Sequence, residues 1–284
     1  MSTEAKPSFN NMKSDFSLDT CSNIKTQLSD KDLTQLEKQN SRMVSQFMAD
    51  KIERESRKHW DLFYKRNETR FFKDRHWTTR EFVELAECES SEKTVLFEVG
   101  CGVGNLMYPL LEDGLNLFVY ACDLSPRAVD FVKSHDQYSE DKVKAFQADI
   151  TGDDLTLNVP EASVHIVSLI FVLSAIHPDK HALVLKNLST VIRPGGKIIF
   201  RDYGLYDMAQ LRFKPGHKIA DNFYMRQDCT RSYFFSTEYL TKLATDCGFE
   251  VKTNSYVYRR TVNKKEDIDV PRRFVQAVFV KPTS

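Results

Sequence analysis

Two rhythms of hydrophobic and polar positions alternate along this chain. Short apolar runs at residues 94–99, 117–122, 143–148, 164–171 and 197–200 recur with helix-length stretches between them. Runs of that length, closed by glycine or an acid, predict buried strands. Strands alternating with helices predict an α/β fold, a parallel sheet with helices on both faces. Residues 180–191 are the helix before the fifth strand, and Arg193, Pro194, Gly195 and Gly196 form the turn between them. The rhythm then breaks. Residues 203–235 mix aromatics, basic residues and polar loops, and an insertion after a strand's C-terminal end lies over the ligand crevice, so this segment is expected to be a substrate lid. A helix at 236–247, a strand at 249–258, a charged hairpin and a last strand at 273–280 follow. Strands joined without a helix predict an antiparallel pair at the sheet edge.

At the other end, residues 1–30 are rich in Ser, Thr, Asn, Lys and Asp, a composition that predicts a disordered tail. Leu33, Leu36, Val44, Phe47, Met48 and Ile52 recur at helical spacing, predicting one amphipathic helix that runs toward Trp60 and packs on the sheet edge. The organisation expected is a tail (1–30), a helical, aromatic and basic segment (31–80), and a main domain (81–284).

The strand ends carry the chemistry. The first run finishes in Glu98 and then Gly100, Gly102 and Gly104, where a strand stops and the backbone turns without Cβ atoms, leaving room for a ligand. Asp123 stands at the tip of the second strand, about twenty residues beyond a glycine turn, the placement that lets a carboxylate accept both hydroxyls of a ribose. Asp149 and Ile150 end the third strand, where an acid can accept from an adenine amine and the isoleucine can lie on the ring. The spacing Gly-x-Gly-x-Gly departs from the Gly-x-Gly-x-x-Gly of dinucleotide folds, which disfavours a nicotinamide cofactor. The three strand ends together point to S-adenosylmethionine. The plain alternative is that each acid only caps the helix that follows it.

Composition narrows the setting. The 284 residues carry 40 basic and 40 acidic side chains, so no global field draws the protein to nucleic acid or membrane. Six cysteines include no Cys-x-x-Cys pair, so no metal site or disulfide framework is expected, and a reduced, cytosolic protein with access to the nucleus is. No apolar run has the length of a membrane span. Residues 57–80 hold eight Lys or Arg against three acids, interleaved with aromatics, a local patch suited to RNA. Arg259, Arg260, Lys264, Lys265, Arg272 and Arg273 form a second basic strip, which could equally be a solvated face.

Four further segments are distinctive: residues 59–67 (HWDLFYKRN), 71–77 (FFKDRHW), 200–207 (FRDYGLYD) and 222–228 (NFYMRQD). With the glycine motif, they make the chain from about Ser56 to its end resemble the class I S-adenosylmethionine-dependent methyltransferases, and within them the tRNA cytidine-N3 methyltransferases. That resemblance implies a Rossmann-like, seven-stranded, mostly parallel sheet whose last strand is antiparallel. It implies that Trp60 and Tyr64 close over the cofactor, Gly100 and its neighbours hold the methionine part, Asp123 the ribose, Asp149 and Ile150 the adenine, and Ile170 the floor. The reaction expected is methylation of cytidine at position 32 of the anticodon loop, on serine tRNAs, with seryl-tRNA synthetase helping to present the substrate. Asp202 is the leading catalytic candidate, flanked by Arg201 and Tyr203, with Tyr206, Phe223 and Tyr224 as base-stacking partners; a carboxylate paired with Arg201 or Arg226 is the structural alternative. Two positions depart from the family pattern: Cys229, where glycine is expected, and His165, where the fourth strand usually carries an acid. After that strand the chain lacks the Asn/Asp-Pro-Pro-aromatic sequence of amino-nitrogen methyltransferases, and His177 there reads as a helix cap. Three competing readings are a methyltransferase acting on a small molecule or protein side chain, a cofactor-binding partner subunit, and an NAD oxidoreductase.

Overall fold

Seven strands form the central sheet because their side chains are apolar on both faces, as a parallel sheet sandwiched by helices requires. The computed structural model describes residues 28–86, 93–263 and 268–283; residues 1–27 of the expected N-terminal tail, Lys264 and Lys265 lie outside them, while Ser29 and Asp30, the end of that expected tail, cap and open the first helix (Asp30–Asn40). The strands are β1 (Thr94–Val99), β2 (Leu117–Asp123), β3 (Val143–Gln147), β4 (Val164–Ile170), β5 (Ile192–Tyr203), and two long C-terminal strands (Glu250–Asn263 and Ile268–Val280), here β9 and β10. Their spatial order is β3-β2-β1-β4-β5-β10-β9. β10 runs antiparallel to both neighbours, so the edge pair and the antiparallel last strand are as the sequence predicts. Arg193 to Gly196 do not end β5 but bulge within it, since the register against β4 jumps from Ile192 to Lys197.

Alternate β1 residues supply opposite cores. Phe97 and Val99 pack with β4, β5 and the helix His181–Val191, whereas Leu96 packs with residues of β2, β3 and two short helices, Met107–Glu112 and Pro126–Lys133. In chain order the helices are α1 (Asp30–Asn40), α2 (Gln46–Arg54), α3 (Ser56–Asn67), α4 (Thr78–Glu81), α5 (Val83–Ala86), α6 (Met107–Glu112), α7 (Pro126–Lys133), α8 (His181–Val191), α9 (Met208–Leu211) and α10 (Thr237–Asp246). Ser125 caps α7, its Oγ accepting from Ala128 N at 3.3 Å with Pro126 in the first turn.

The single N-terminal helix expected from the periodicity is three. Ser45 starts a new helix at α2 by accepting from Met48 N at 3.3 Å, and Glu55 separates α2 from α3. Of the six apolar residues that set the pattern only Ile52 is buried, while Leu33 and Phe47 are exposed. The anchor of α1 is polar. Gln39, fully buried, donates to Gln210 O (2.9 Å) and Phe213 O (3.1 Å) and accepts from Tyr224 Oη (2.9 Å). α1 therefore packs on the insertion, not on the sheet edge.

The insertion is a unit of its own: α9 and a three-stranded antiparallel sheet of β6 (Lys218–Ala220), β7 (Phe223–Met225) and β8 (Arg231–Tyr233). A bridge between Gly204 and Phe235 closes its base. Asp207, fully buried, holds it to β10 by accepting from the Arg272 guanidinium at 2.9 Å and Arg273 N at 2.6 Å.

Candidate active site

The chain reverses direction in the sheet between β1 and β4, and at such switch points the tips of parallel strands part to leave a crevice. A cavity of about 680 Å³ opens there. Glu98, Gly100, Gly102, Asp123, Asp149 and Ile150 line it, together with Trp60 and Tyr64 of α3. The sequence thus placed eight of its ten expected cofactor residues on one cavity.

The other two play different parts. Gly104 is a packing glycine at φ +91°, where a Cβ would collide with the Tyr108 ring. Ile170 is buried in the core, and its carbonyl accepts from the Arg75 guanidinium at 3.1 Å. The wall beyond β4 is made instead by Phe171, held at φ +59°, and Val172.

Each polar group has a local cause. Asp123 Oδ2 accepts from Gly102 N at 3.0 Å and Oδ1 from Ser125 N at 2.9 Å, so the carboxylate ties the glycine loop to the start of α7. Burial pushes this acid up to about 6, against the pull of the N–H groups of Ser125, Gly102 and Leu124. Burial pushes Glu98 up to about 8, opposed by the Arg75 charge and by Met107 N, which donates at 3.1 Å. Asp149 Oδ1 takes both bonds from Thr151, N at 2.9 Å and Oγ1 at 2.7 Å. Gly102 sits at φ +56°, and a methyl there would come within 2.9 Å of Tyr64 Oη; one on Gly100 would meet Val172 at 2.6 Å. The loop therefore requires glycine at both positions, because the Tyr64 and Val172 side chains stand where a Cβ would be.

α3 is fixed over this loop by Asp61, whose Oδ1 accepts from Ser125 Oγ (3.0 Å) and Arg127 N (3.3 Å) at the start of α7. Trp60, Phe63, Tyr64, Phe71 and Phe72 pack against Val103 and Ala128 beneath it. Arg75, in one of the distinctive segments but given no individual role from sequence, crosses from the glycine loop to β4. Its N–H donates to Asn105 O (2.8 Å) and its guanidinium lies 5.6 Å over the Phe171 ring.

The catalytic candidates are not on the cavity wall. Asp202 is fully buried, accepting from Ser174 N and Tyr203 N, both at 2.9 Å, and burial pushes it up to about 6. Arg201 points to the opposite face of β5, where its guanidinium stacks 4.5 Å over Trp77 and pairs with Glu81, which also binds Arg259. Strand alternation forces this split. Tyr203 is half-buried among Phe171, Phe234 and Phe274. Phe223 and Tyr224, expected to stack a base, are core residues. His165 is structural, accepting from Val95 N at 3.1 Å, and His177 caps the turn Pro178–Lys180. The C-terminal basic strip is largely spent internally, on Glu81, Asp207 and Asp269. The patch around α3 is less so: Lys65, Arg66, Lys73 and Arg80 are exposed, as is Arg70 beside its partner Glu68, although Arg75 turns inward. Among the described residues no three His, Cys, Asp or Glu side chains cluster as metal ligands, and no helix is long and apolar enough to cross a membrane.

The strand order and the glycine loop at its switch point define a class I, S-adenosylmethionine-dependent methyltransferase. A family model described as a methyltransferase domain matches residues 96–196. The SAM-dependent methyltransferase of Anabaena variabilis superposes with a TM-score of 0.60 at 12% identity, over 80% of this chain and 95% of that one. The glycopeptide N-methyltransferase MtfA, solved with (S)-adenosyl-L-methionine, does so at 0.52 and 14%, over 74% and 88%. Both share the fold. Sequence similarity goes further. The mouse tRNA N(3)-cytidine methyltransferase METTL6 is 58% identical over 247 residues, 86% of this chain and 88% of the mouse protein. The human METTL6 is 56% identical over 86% and 87%. The fission-yeast tRNA N(3)-methylcytidine methyltransferase trm141 is 45% identical over 84% and 97%. The chain belongs to the tRNA N3-cytidine methyltransferase family.

Proposed function

We propose that the protein transfers a methyl group from S-adenosylmethionine to N3 of cytidine 32 in the anticodon loop of serine tRNAs, with seryl-tRNA synthetase as a presenting partner. The observation that carries the reading is a cavity with two strand-end acids, Asp123 and Asp149, in a chain more than half identical to METTL6 proteins. Identity to the METTL2 proteins is lower, at 37–41%. The choice of position, isoacceptor and partner rests on the resemblance in the four distinctive segments.

When bound, S-adenosylmethionine supplies an electrophilic methyl on a sulfonium. Asp123 would accept from the ribose hydroxyls and Asp149 from the adenine amine, and the resemblance assigns the methionine part to Gly100 and its neighbours. Trp60 and Tyr64, held by α3, exclude water from above. Neutral cytosine N3 has an in-plane lone pair, so attack on the methyl requires no base to remove a proton. Alignment and exclusion of water are the protein's main contributions, and orientation alone can supply about 7–11 kcal/mol. Because N3 lies on the pairing edge, the base enters unpaired or flipped. The loop from Phe171 to Ile176 lines the cavity wall next to Lys180. Asp202, beneath that loop, fixes it by accepting from Ser174 N. It is a positioning residue in this arrangement.

Nucleoside mass spectrometry tests the reading. A serine tRNA transcript incubated with protein and S-adenosylmethionine should gain 3-methylcytidine, and one with uridine at position 32 should not. Methyl incorporation into protein or small molecules instead of tRNA would overturn it.

A further inference from the structure

Glu53, on the last turn of α2, closes that helix over the cavity mouth. Its carboxylate reaches two cations from different parts of the fold. Oε1 accepts from Lys180 Nζ at 2.6 Å, in the turn after β4, and Oε2 pairs with the Arg231 guanidinium on β8 of the insertion. All three residues line the same cavity as Asp123 and Asp149, with Arg54 and Arg57 beside them. Arg231 is nearly buried, its guanidinium 5.6 Å over the Phe223 ring, and a buried guanidinium demands an anion.

None of the three is among the residues expected to hold the cofactor. Two cations from different parts of the fold, met by one group with two oxygens, is the arrangement that would hold the two non-bridging oxygens of a phosphodiester. We propose that Lys180 and Arg231 form a binding site for a backbone phosphate of the RNA strand entering the cavity, and that Glu53 occupies this site when RNA is absent. The proposal rests on the tRNA reading above. Glu53 is then a carboxylate stand-in, and α2 a strap that lifts from the mouth as the phosphate displaces it.

The structure favours such an exchange. The Glu53 and Lys180 side chains are 27% and 43% exposed, and partly exposed pairs are weak. α2 buries Ile52 alone, shows Phe47 to solvent, and is separated from α3 by the non-helical Glu55 at φ −96° and ψ 13°. Charge is conserved, because a phosphate replaces a carboxylate.

Salt titration of tRNA binding separates this from a structural ion pair. In the wild type the phosphate displaces Glu53. In Glu53→Gln the two cations collect solution counterions that the phosphate must release, so tRNA binding should tighten about threefold to tenfold at low salt and the slope of log K against log salt should steepen by up to about one. Lys180→Gln should weaken binding about threefold to tenfold and flatten the slope by about one, and Lys180→Glu should weaken it further. Weaker tRNA binding by Glu53→Gln, or an unchanged slope, overturns the proposal. So does normal binding by the two Lys180 variants, which decide the matter alone if Glu53→Gln fails to fold. Wild-type protein that methylates tRNA while these variants stay flat sinks only this inference; wild-type protein that neither binds nor methylates tRNA sinks the functional reading and this inference with it.

Discussion

Replacing Asp123 by asparagine tests the residue proposed to hold the ribose of the cofactor. The two carboxylate oxygens accept from Gly102 N and Ser125 N at 3.0 and 2.9 Å, and the amide can keep only one of these, since its NH₂ would face a donor. The fold loses one backbone bond, about 1 kcal/mol, but is relieved of a buried charge, so the melting temperature should move by no more than about 2–4 °C. Cofactor binding should suffer far more. A hydrogen bond to a charged acceptor contributes about 1.5–3 kcal/mol, which raises Kd about 10- to 150-fold once the ribose loses it. Isothermal titration with S-adenosylhomocysteine measures this directly, with Asp130→Asn on the exposed face of α7 as the control that changes nothing. An Asp123→Asn protein that binds within twofold of wild type would refute the ribose assignment.

The remaining predictions concern pH, the insertion after β5 and the loop held by Asp202. Burial raises both Glu98, to about 8 from 4.5, and Asp123, to about 6 from 3.8; the fold therefore favours their protonated forms, and these two groups destabilise the free protein increasingly as pH rises from about 4 to 8. A cationic ligand reverses this, so S-adenosylmethionine affinity should strengthen from pH 6 to 8.5 with proton release, and a flat calorimetric profile would contradict it. Cys229 holds φ +64° in the turn closed by its own N–H to Arg226 O (3.1 Å), a conformation that costs an L residue about 1–2 kcal/mol. Cys229→Gly should therefore stabilise the protein by about 1 kcal/mol, read as a higher urea midpoint with unchanged slope. Asp202→Ala leaves two buried N–H groups unsatisfied, at about 1–3 kcal/mol each; it should lower the melting temperature by several degrees and abolish methyl transfer while cofactor affinity stays nearly intact, and full activity would remove Asp202 from the account.

The sheet was legible because parallel strands buried on both faces leave continuous apolar runs, and the glycine loop because glycines and acids end those runs. The N-terminal helices were not. Their anchor is Gln39, a buried polar residue that periodicity ignores, while the apolar Leu33 and Phe47 that suggested one helix face solvent. Arg201 and Asp202 are adjacent in sequence but on opposite faces of β5, so a motif read as one catalytic cluster becomes two separate supports, at Glu81 and at Ser174. Likewise a charge count cannot show that Arg259 and Arg272 are neutralised by acids 178 and 65 residues away, whereas Lys65 and Arg66 are free on the surface.

A crystal structure with S-adenosylhomocysteine tests the central claim most directly. The account predicts the product in the cavity at the tips of β1, β2 and β3, its ribose hydroxyls on Asp123 and its adenine amine on Asp149, with Trp60 and Tyr64 above it. Product bound elsewhere, with those two carboxylates making no contact to it, would contradict the account.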